Sequence, residues 1–179
     1  MSEFQSFPKI PRLFRNVVIT EKLDGTNAQI EILEDGTFLT ASRNRYVTPD
    51  DDNYGFSKWA YENKEDLMTL GVGRHFGEWW GKGIARNYFQ PTKKFSLFNT
   101  ARWSESRPKC CEVVPILYNG VFDTWVIEKI KRSLLKNGSI AAPGFMNPEG
   151  IIMYHEASKV MFKVLLENDE LPKCDIKPH

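Results

Sequence analysis

The sequence predicts an α+β domain, mainly antiparallel β-sheets with flanking helices. Short segments of alternating apolar and polar residues, rich in β-branched side chains, are separated by tight turn signals such as Asp35-Gly36. Only two stretches show the three- and four-residue apolar spacing of a helix, and the long crossover helices that parallel strands need are missing between most strands. At 179 residues, 41% hydrophobic and 26% charged, the chain has the length and composition of one domain with a real core. The expected domain is 1–179, with its core over about 17–166, a short N-terminal segment and a loose C-terminal tail.

Val17 to Glu21 reads as the first strand, and Asp24-Gly25-Thr26 as the turn that ends it. Ala28 to Leu33 and Thr37 to Ala41 alternate on either side of Asp35-Gly36, the pattern of a hairpin. Thr48 to Asn53 is polar and reads as a surface loop. Phe56, Trp59, Ala60, Asn63 and Leu67 then recur at helical steps, predicting an amphipathic helix that stops near Gly71. Arg74 to Val114 is strand-like and turn-like. From Asp123 to Lys136 the residues Val126, Ile127, Ile130 and Leu134 mark a second helix, with cations late in it and Gly138 as its C-cap. Gly150 to Tyr154 and Val160 to Leu166 read as two closing strands.

Composition excludes several classes of function. Lys plus Arg is 24 against 23 for Asp plus Glu, a formal charge of +1, so any polyanion site must be local. No apolar run approaches the roughly 18 residues that span a bilayer, and the N-terminus lacks the apolar block of a secretory signal, so a cytoplasmic protein with no membrane partner is expected. Cys110, Cys111 and Cys174 fit neither a disulfide framework nor a zinc site and read as reduced thiols. His75, His155 and His179 are scattered, without the paired spacing of a zinc hydrolase. Gly77 to Gly83 imitates a phosphate-binding loop but has three residues between its first glycines where four are needed, and Gly83 where a hydroxyl should hold the metal.

Lys22 closes the first predicted strand and is followed by Leu23, Asp24, Gly25, Thr26 and Asn27. An ordinary lysine, with a pKa of about 10.4, is neutral in only about one molecule in a few thousand at pH 7. A nucleophilic lysine therefore needs burial or a neighbouring cation. Asp24 lies two residues on, hence on the same face if the strand persists.

Further along, Ser42-Arg43, Phe76-Gly77-Glu78-Trp79, Phe95-Ser96-Leu97-Phe98-Asn99, Glu149-Gly150 and Phe162-Lys163 follow in order. With Lys22-Leu23-Asp24-Gly25, this ordered set resembles the motifs of the covalent nucleotidyltransferases, the ATP-dependent polynucleotide ligases and mRNA capping enzymes. The Ile19–Ala28 opening, the Gly77–Tyr88 stretch and the short chain look most like the RNA ligase family. The resemblance covers roughly Val17 to Leu166. It implies an adenylyltransferase domain of the ATP-grasp-like ligase type, with no room for an OB-fold domain, acting as a monomer.

The resemblance also implies a chemistry, in which a lysine takes AMP from ATP, passes it to an RNA 5′-phosphate, and a 3′-hydroxyl finally displaces it. Lys22 is then the nucleophile and Glu21 its neighbour at the nucleotide. Asp24 and Glu149 work with the metal, Mg²⁺ or Mn²⁺, and Lys163 contacts the α-phosphate. Glu78 would bind the ribose hydroxyls, Phe98 stack on adenine with Phe95 as the alternative, and Arg43 lie near the nucleotide and the RNA phosphate. The departures are Met161 where many relatives have a first lysine and Asn99 where they have aspartate. Lys159, on the same face as Met161 and Lys163 by two-residue periodicity, is a candidate to supply the missing charge.

Between Arg74 and Lys109 eight cations face two acids, interleaved with Trp79, Trp80, Tyr88 and Trp103. That pattern suits a nucleic-acid groove, and Lys82 and Arg86, with Arg43 and Lys159, are the candidate RNA contacts. The implied partner is RNA with 5′-phosphate and 3′-hydroxyl ends, in RNA repair, and an accessory protein is a further candidate partner. The competing readings are a DNA ligase, a capping-type guanylyltransferase and a non-catalytic nucleic-acid-binding relative.

Overall fold

The structure is a computed structural model and describes residues 3–170. In chain order its strands are β1 (Asn16–Lys22), β2 (Thr26–Ile32), β3 (Phe38–Ser42), β4 (Tyr46–Val47), β5 (Gly73–Gly81), β6 (Lys93–Leu97), β7 (Cys111–Val113), β8 (Ile116–Val121), β9 (Gly150–His155) and β10 (Val160–Leu165). The helices are α1 (Phe56–Glu62), α2 (Lys64–Leu67), α3 (Thr100–Trp103) and α4 (Thr124–Asn137), with a 3₁₀ turn at Met68–Leu70. The strands make a four-stranded antiparallel sheet, ordered β10-β9-β1-β8, and a six-stranded sheet, ordered β4-β3-β2-β5-β6-β7.

The expected α+β, mainly antiparallel architecture is present, with one exception. β6 and β7 pair in parallel, joined by a connection that contains α3. Asp35-Gly36 makes the β2–β3 turn, and Asp123 caps α4 by accepting from the Trp125 N–H at 2.9 Å. The predicted helix over 56–67 breaks at Asn63, whose side chain donates to the Trp59 carbonyl at 2.8 Å and so terminates α1. The polar 48–53 loop carries the cap of α1: Asp52 accepts from Ser57 N–H at 2.8 Å and Lys58 N–H at 2.9 Å. β4 and β8 were not expected; both are short or half-exposed, with little apolar alternation to mark them. The predicted tail extends into residues outside those described.

Three apolar clusters hold the molecule together. Beneath the six-stranded sheet lies an aromatic core that includes Phe56, Trp79, Phe95 and Trp103, with Trp59 packed against it. On one side of the four-stranded sheet an aliphatic core packs Val17, Ile19, Ile151 and Met153 against Ile130 and Leu134 of α4. A third cluster, Leu23, Trp80, Tyr88, Val114, Ala142 and Phe145, fills the junction between the sheets. The chain crosses that junction in three residues, Leu23-Asp24-Gly25, leaving one sheet at Lys22 and entering the other at Thr26.

Candidate active site

Lys22 ends β1 opposite Gly150, the first residue of β9, so the preceding Glu149 falls beside it. The Lys22 ammonium forms an ion pair with the Glu149 carboxylate, both side chains being largely buried. Among the described residues, the Glu149 Oε2 against which it rests has no other partner. Burial pushes the Glu149 carboxyl above its ordinary range, and Lys22 pulls it back down. Gly150 is required here by space, because a Cβ would run into the backbone carbonyl of Val164, and its absence lets β10 lie flush beside the reactive row.

The crossover turn is pressed against β5 in the same way. A Cβ on Gly25 would collide with the Trp79 carbonyl and come within 2.8 Å of the Trp80 side chain. This close approach lets the Gly25 N–H donate to Glu78 Oε1 at 3.1 Å, while Asn27, directly opposite Glu78 in the β2–β5 ladder, donates to Oε2 at 2.9 Å. Glu78 is 8% exposed. Burial raises its pKa to about 7, with the Lys22 charge and the two donors opposing that rise.

Asp24 is held from the other side. Arg86 Nε donates to its carboxylate at 2.9 Å, and its backbone N–H donates to the Tyr88 hydroxyl at 2.9 Å. Arg86 also donates through Nη1 to the Asn147 carbonyl, 3.2 Å away. Thus Lys22, Asp24, Glu78, Arg86 and Glu149 come together, four of them among the residues the motifs place at the nucleotide and the fifth, Arg86, placed on RNA.

Lys163 lies on the same face of the four-stranded sheet as Lys22, one row back, since it pairs with Ile152, which pairs with Thr20. Lys159 does not join them. β10 begins only at Val160, and Lys159 sits in the preceding turn at φ 56°. Val160 aligns with His155 and Val17, so Lys159 lies level with the far end of β1, about six residues or roughly 20 Å from the Lys22 row. It therefore cannot supply the charge missing at Met161. Glu21 also faces away: its buried carboxylate accepts from Ser139 Oγ at 2.5 Å, Ile140 N–H at 2.8 Å and Ala141 N–H at 3.0 Å, on the opposite face of β1 from Lys22. Its role in the structure is to fasten the loop after α4.

On the six-stranded sheet, the β5–β6 ladder is extended by the Phe98 N–H donating to the Phe76 carbonyl at 3.0 Å. By alternation both rings share the Glu78 face, and both are partly exposed, at 52% for Phe76 and 40% for Phe98. Phe95 is fully buried against Phe56 and Trp59 and is core, not a stacking surface. Asn99 caps α3, accepting from the Arg102 N–H at 3.1 Å, which accounts for a side-chain oxygen there without a negative charge. Arg43 is exposed in the turn after β3, at the same end of the sheet as Asn27 and Glu78.

The expected aromatic-lined basic groove is not formed. Trp79, Trp80, Tyr88 and Trp103 are all interior. Several of the cations are spent on local partners: Arg74 pairs with Glu31, Arg102 binds the Leu70 carbonyl, Arg107 the Ser104 and Cys111 carbonyls, and Lys93 the Tyr54 carbonyl. Lys82 is exposed, bordering a shallow hollow with Lys58, Trp59 and Thr92. Sequence reasoning missed Asn27 as a partner of Glu78, Phe76 as a neighbour of Phe98, and Tyr88 as a support for Asp24; cross-strand pairing brings the first two together and leaves no local signal.

No group of three or more His, Cys, Asp or Glu side chains converges among the described residues. The donor set at Lys22 is instead two carboxylates, Glu149 with its under-partnered oxygen and Asp24 with one oxygen on Arg86. Such a pair suits a hard divalent cation that draws its remaining ligands from phosphate and water. No helix of the described residues is long and apolar enough to cross a membrane.

Comparison with known proteins bears on the fold and the family. No curated protein matches the sequence. Solved structures of the Naegleria gruberi RNA ligase do match: a variant with ATP and Mn aligns at TM-score 0.63 and 20% identity over 87% of this chain and 52% of that one. A variant with AMP and Mn aligns at 0.63 and 19% over 88% and 53%, and the ligase with PPi at 0.62 and 21% over 84% and 49%. The chain thus spans about half the length of these structures, with which it shares the nucleotidyltransferase fold. A family model described as RNA ligase matches residues 15–165. With that span covering most of the sequence, the chain belongs to the RNA ligase family.

Proposed function

We propose that this chain is the catalytic domain of an ATP-dependent RNA ligase that works through a lysyl-AMP intermediate. The observation that carries the reading is the Lys22–Glu149 ion pair, buried at the junction of two sheets with Asp24 and Glu78 beside it. The Lys22 ammonium gives one proton to Glu149, already against Nζ, and the freed amine attacks the α-phosphorus of ATP; a P–N bond forms as the bond to pyrophosphate breaks, and the nitrogen's second proton leaves with the pyrophosphate. AMP then moves to the RNA 5′-phosphate and frees Lys22; the 3′-hydroxyl attacks that phosphate, forms the phosphodiester and expels AMP.

Glu78 and Asn27 meet the ribose hydroxyls, Phe98 beside Phe76 offers the base an apolar face, and Lys163 and Arg43 meet phosphates. A divalent ion, Mg²⁺ or Mn²⁺, held by Glu149 and Asp24, would neutralise the triphosphate so that an amine can approach it. ATP, AMP, pyrophosphate and Mn bound by the Naegleria gruberi structures support this choice of ligands. We place the activity in RNA repair in the cytoplasm, on RNA with 5′-phosphate and 3′-hydroxyl ends.

The test is to incubate the protein with α-labelled ATP and a divalent ion, denature it and look for covalent label. Label is expected on the unaltered protein and none on Lys22→Ala. Label from GTP alone points to capping chemistry, sealing of DNA but not RNA strands points to a DNA ligase, and no label from either nucleotide leaves a binding module.

A further inference from the structure

Nothing in the chemistry above uses the 82–90 segment, yet its backbone is the most unusual in the molecule. Ala85, Asn87, Tyr88 and Phe89 all have positive φ, at 43°, 63°, 53° and 53°, a left-handed conformation that L-residues avoid. Such backbone persists only where the surroundings over-determine it. At Tyr88 they do: its ring is 1% exposed and wedged against Trp80 and Phe145, with centroids 5.1 and 4.6 Å away, while Phe89, 78% exposed, rests on Phe145 at 5.2 Å.

The result of this fixed shape is the position of two polar groups. The Tyr88 hydroxyl receives the Asp24 N–H, and the Arg86 guanidinium joins the Asp24 carboxylate to the Asn147 carbonyl. Asp24 is two residues after Lys22, and Asn147 is two residues before Glu149. One side chain therefore bridges the two backbone segments that deliver the two halves of the Lys22–Glu149 pair.

We propose that Arg86 is a positioning residue for the adenylylation step, holding Lys22 and Glu149 in register through Asp24 and Asn147, with Tyr88 as the anchor of the same clamp. This rests on the reading of Lys22 as the nucleophile, and it takes Arg86 away from the RNA surface. A guanidinium suits the task because its fixed fork reaches two acceptors in different directions, whereas an ammonium is a point charge on a flexible stem. Misplacing reacting groups by about 1 Å can cost on the order of 100-fold in rate.

The experiment is single-turnover formation of lysyl-AMP against ATP concentration, in the absence of RNA. For Arg86→Ala we expect the rate at saturating ATP to fall about 30-fold or more, while the ATP concentration giving half-maximal rate changes less than about 3-fold. Arg86→Lys should recover part of the loss, and millimolar guanidinium should recover part of it for Arg86→Ala; a merely structural role would respond to neither. Tyr88→Phe keeps the buried ring and deletes only the acceptor, so it carries the test if Arg86→Ala does not fold, with an expected fall of about 5-fold. Undiminished lysyl-AMP formation by Arg86→Ala, or by Tyr88→Phe where Arg86→Ala does not fold, overturns the proposal. So does a loss confined to the affinity for 5′-phosphate RNA, measured separately by equilibrium binding without ATP, which would make Arg86 an RNA contact. Absence of label on the unaltered protein overturns the nucleophile assignment, and this proposal with it.

Discussion

The two sheets differ in how they present the residues of the candidate site. The four-stranded sheet is packed on one side only, by an aliphatic core against α4, and its outer strand β10 is exposed at Val160, Met161 and Phe162. Its functional side chains are long cations, Lys22 at a strand end and Lys163 on the edge strand. The six-stranded sheet rests on an aromatic core, and its functional groups, Asn27, Glu78, Phe76 and Phe98, lie across the central strands β2, β5 and their neighbour β6, with Glu78 fixed by two donors. The lysines thus sit on the sheet covered on one face, and the hydrogen-bonded acid and the two rings on the sheet with the aromatic core. Phosphates move during the proposed reaction, whereas base and ribose need to stay still.

This contrast can be broken by substitution. The largest effect is expected for Lys163→Ala, which should lower the maximal rate of lysyl-AMP formation by about 100-fold, the scale of losing one charge-stabilising donor, with a smaller change in apparent ATP affinity. Phe98→Ala should do the reverse, weakening ATP affinity by about 10-fold, within the roughly 1 to 3 kcal/mol that stacking contributes per base, with the maximal rate nearly kept. If both variants altered the same parameter, the division of labour between the sheets would be wrong.

The remaining test is a pH dependence of stability. Glu78 titrates near about 7 in the folded chain, against 4.5 ordinarily, so the folded state holds its proton more tightly than the unfolded chain does. Stability from this group is therefore full below about pH 4.5 and is lost as pH rises through about 7. Glu78→Gln should flatten that slope; denaturant titrations at pH 5 and 8 should differ less for the variant by up to about 3 kcal/mol. An unchanged slope would mean that Glu78 is not the buried acid described here.

Much of this was legible in the sequence because the information is local. The period-two segments around Asp35-Gly36 and the capped helix after Asp123 formed where their residues predicted. The ordered motifs found Lys22, Asp24, Glu78 and Glu149, and these do meet. What failed was geometry that depends on distant partners. Lys159 was assigned to the face of the last strand by extending its alternation one residue too far, into a turn. Trp79, Trp80, Tyr88 and Trp103 suggested a surface by their basic neighbours, but ring area won and they went inside. Glu21, beside Lys22 in sequence, faces the other way because neighbouring residues of a strand must.

The link of three residues between β1 and β2 sets a limit on how this molecule can be rebuilt. Leu23 is sunk in the junction, Asp24 is tethered at backbone and side chain, and Gly25 has no space for another atom. Inserting a linker, opening a new terminus or shuffling halves at this point would uncouple the amine from its acid. The Asp35-Gly36 bend, exposed and at the opposite end of β2 from Asn27, is where a graft or a permuted end would leave the chemistry alone.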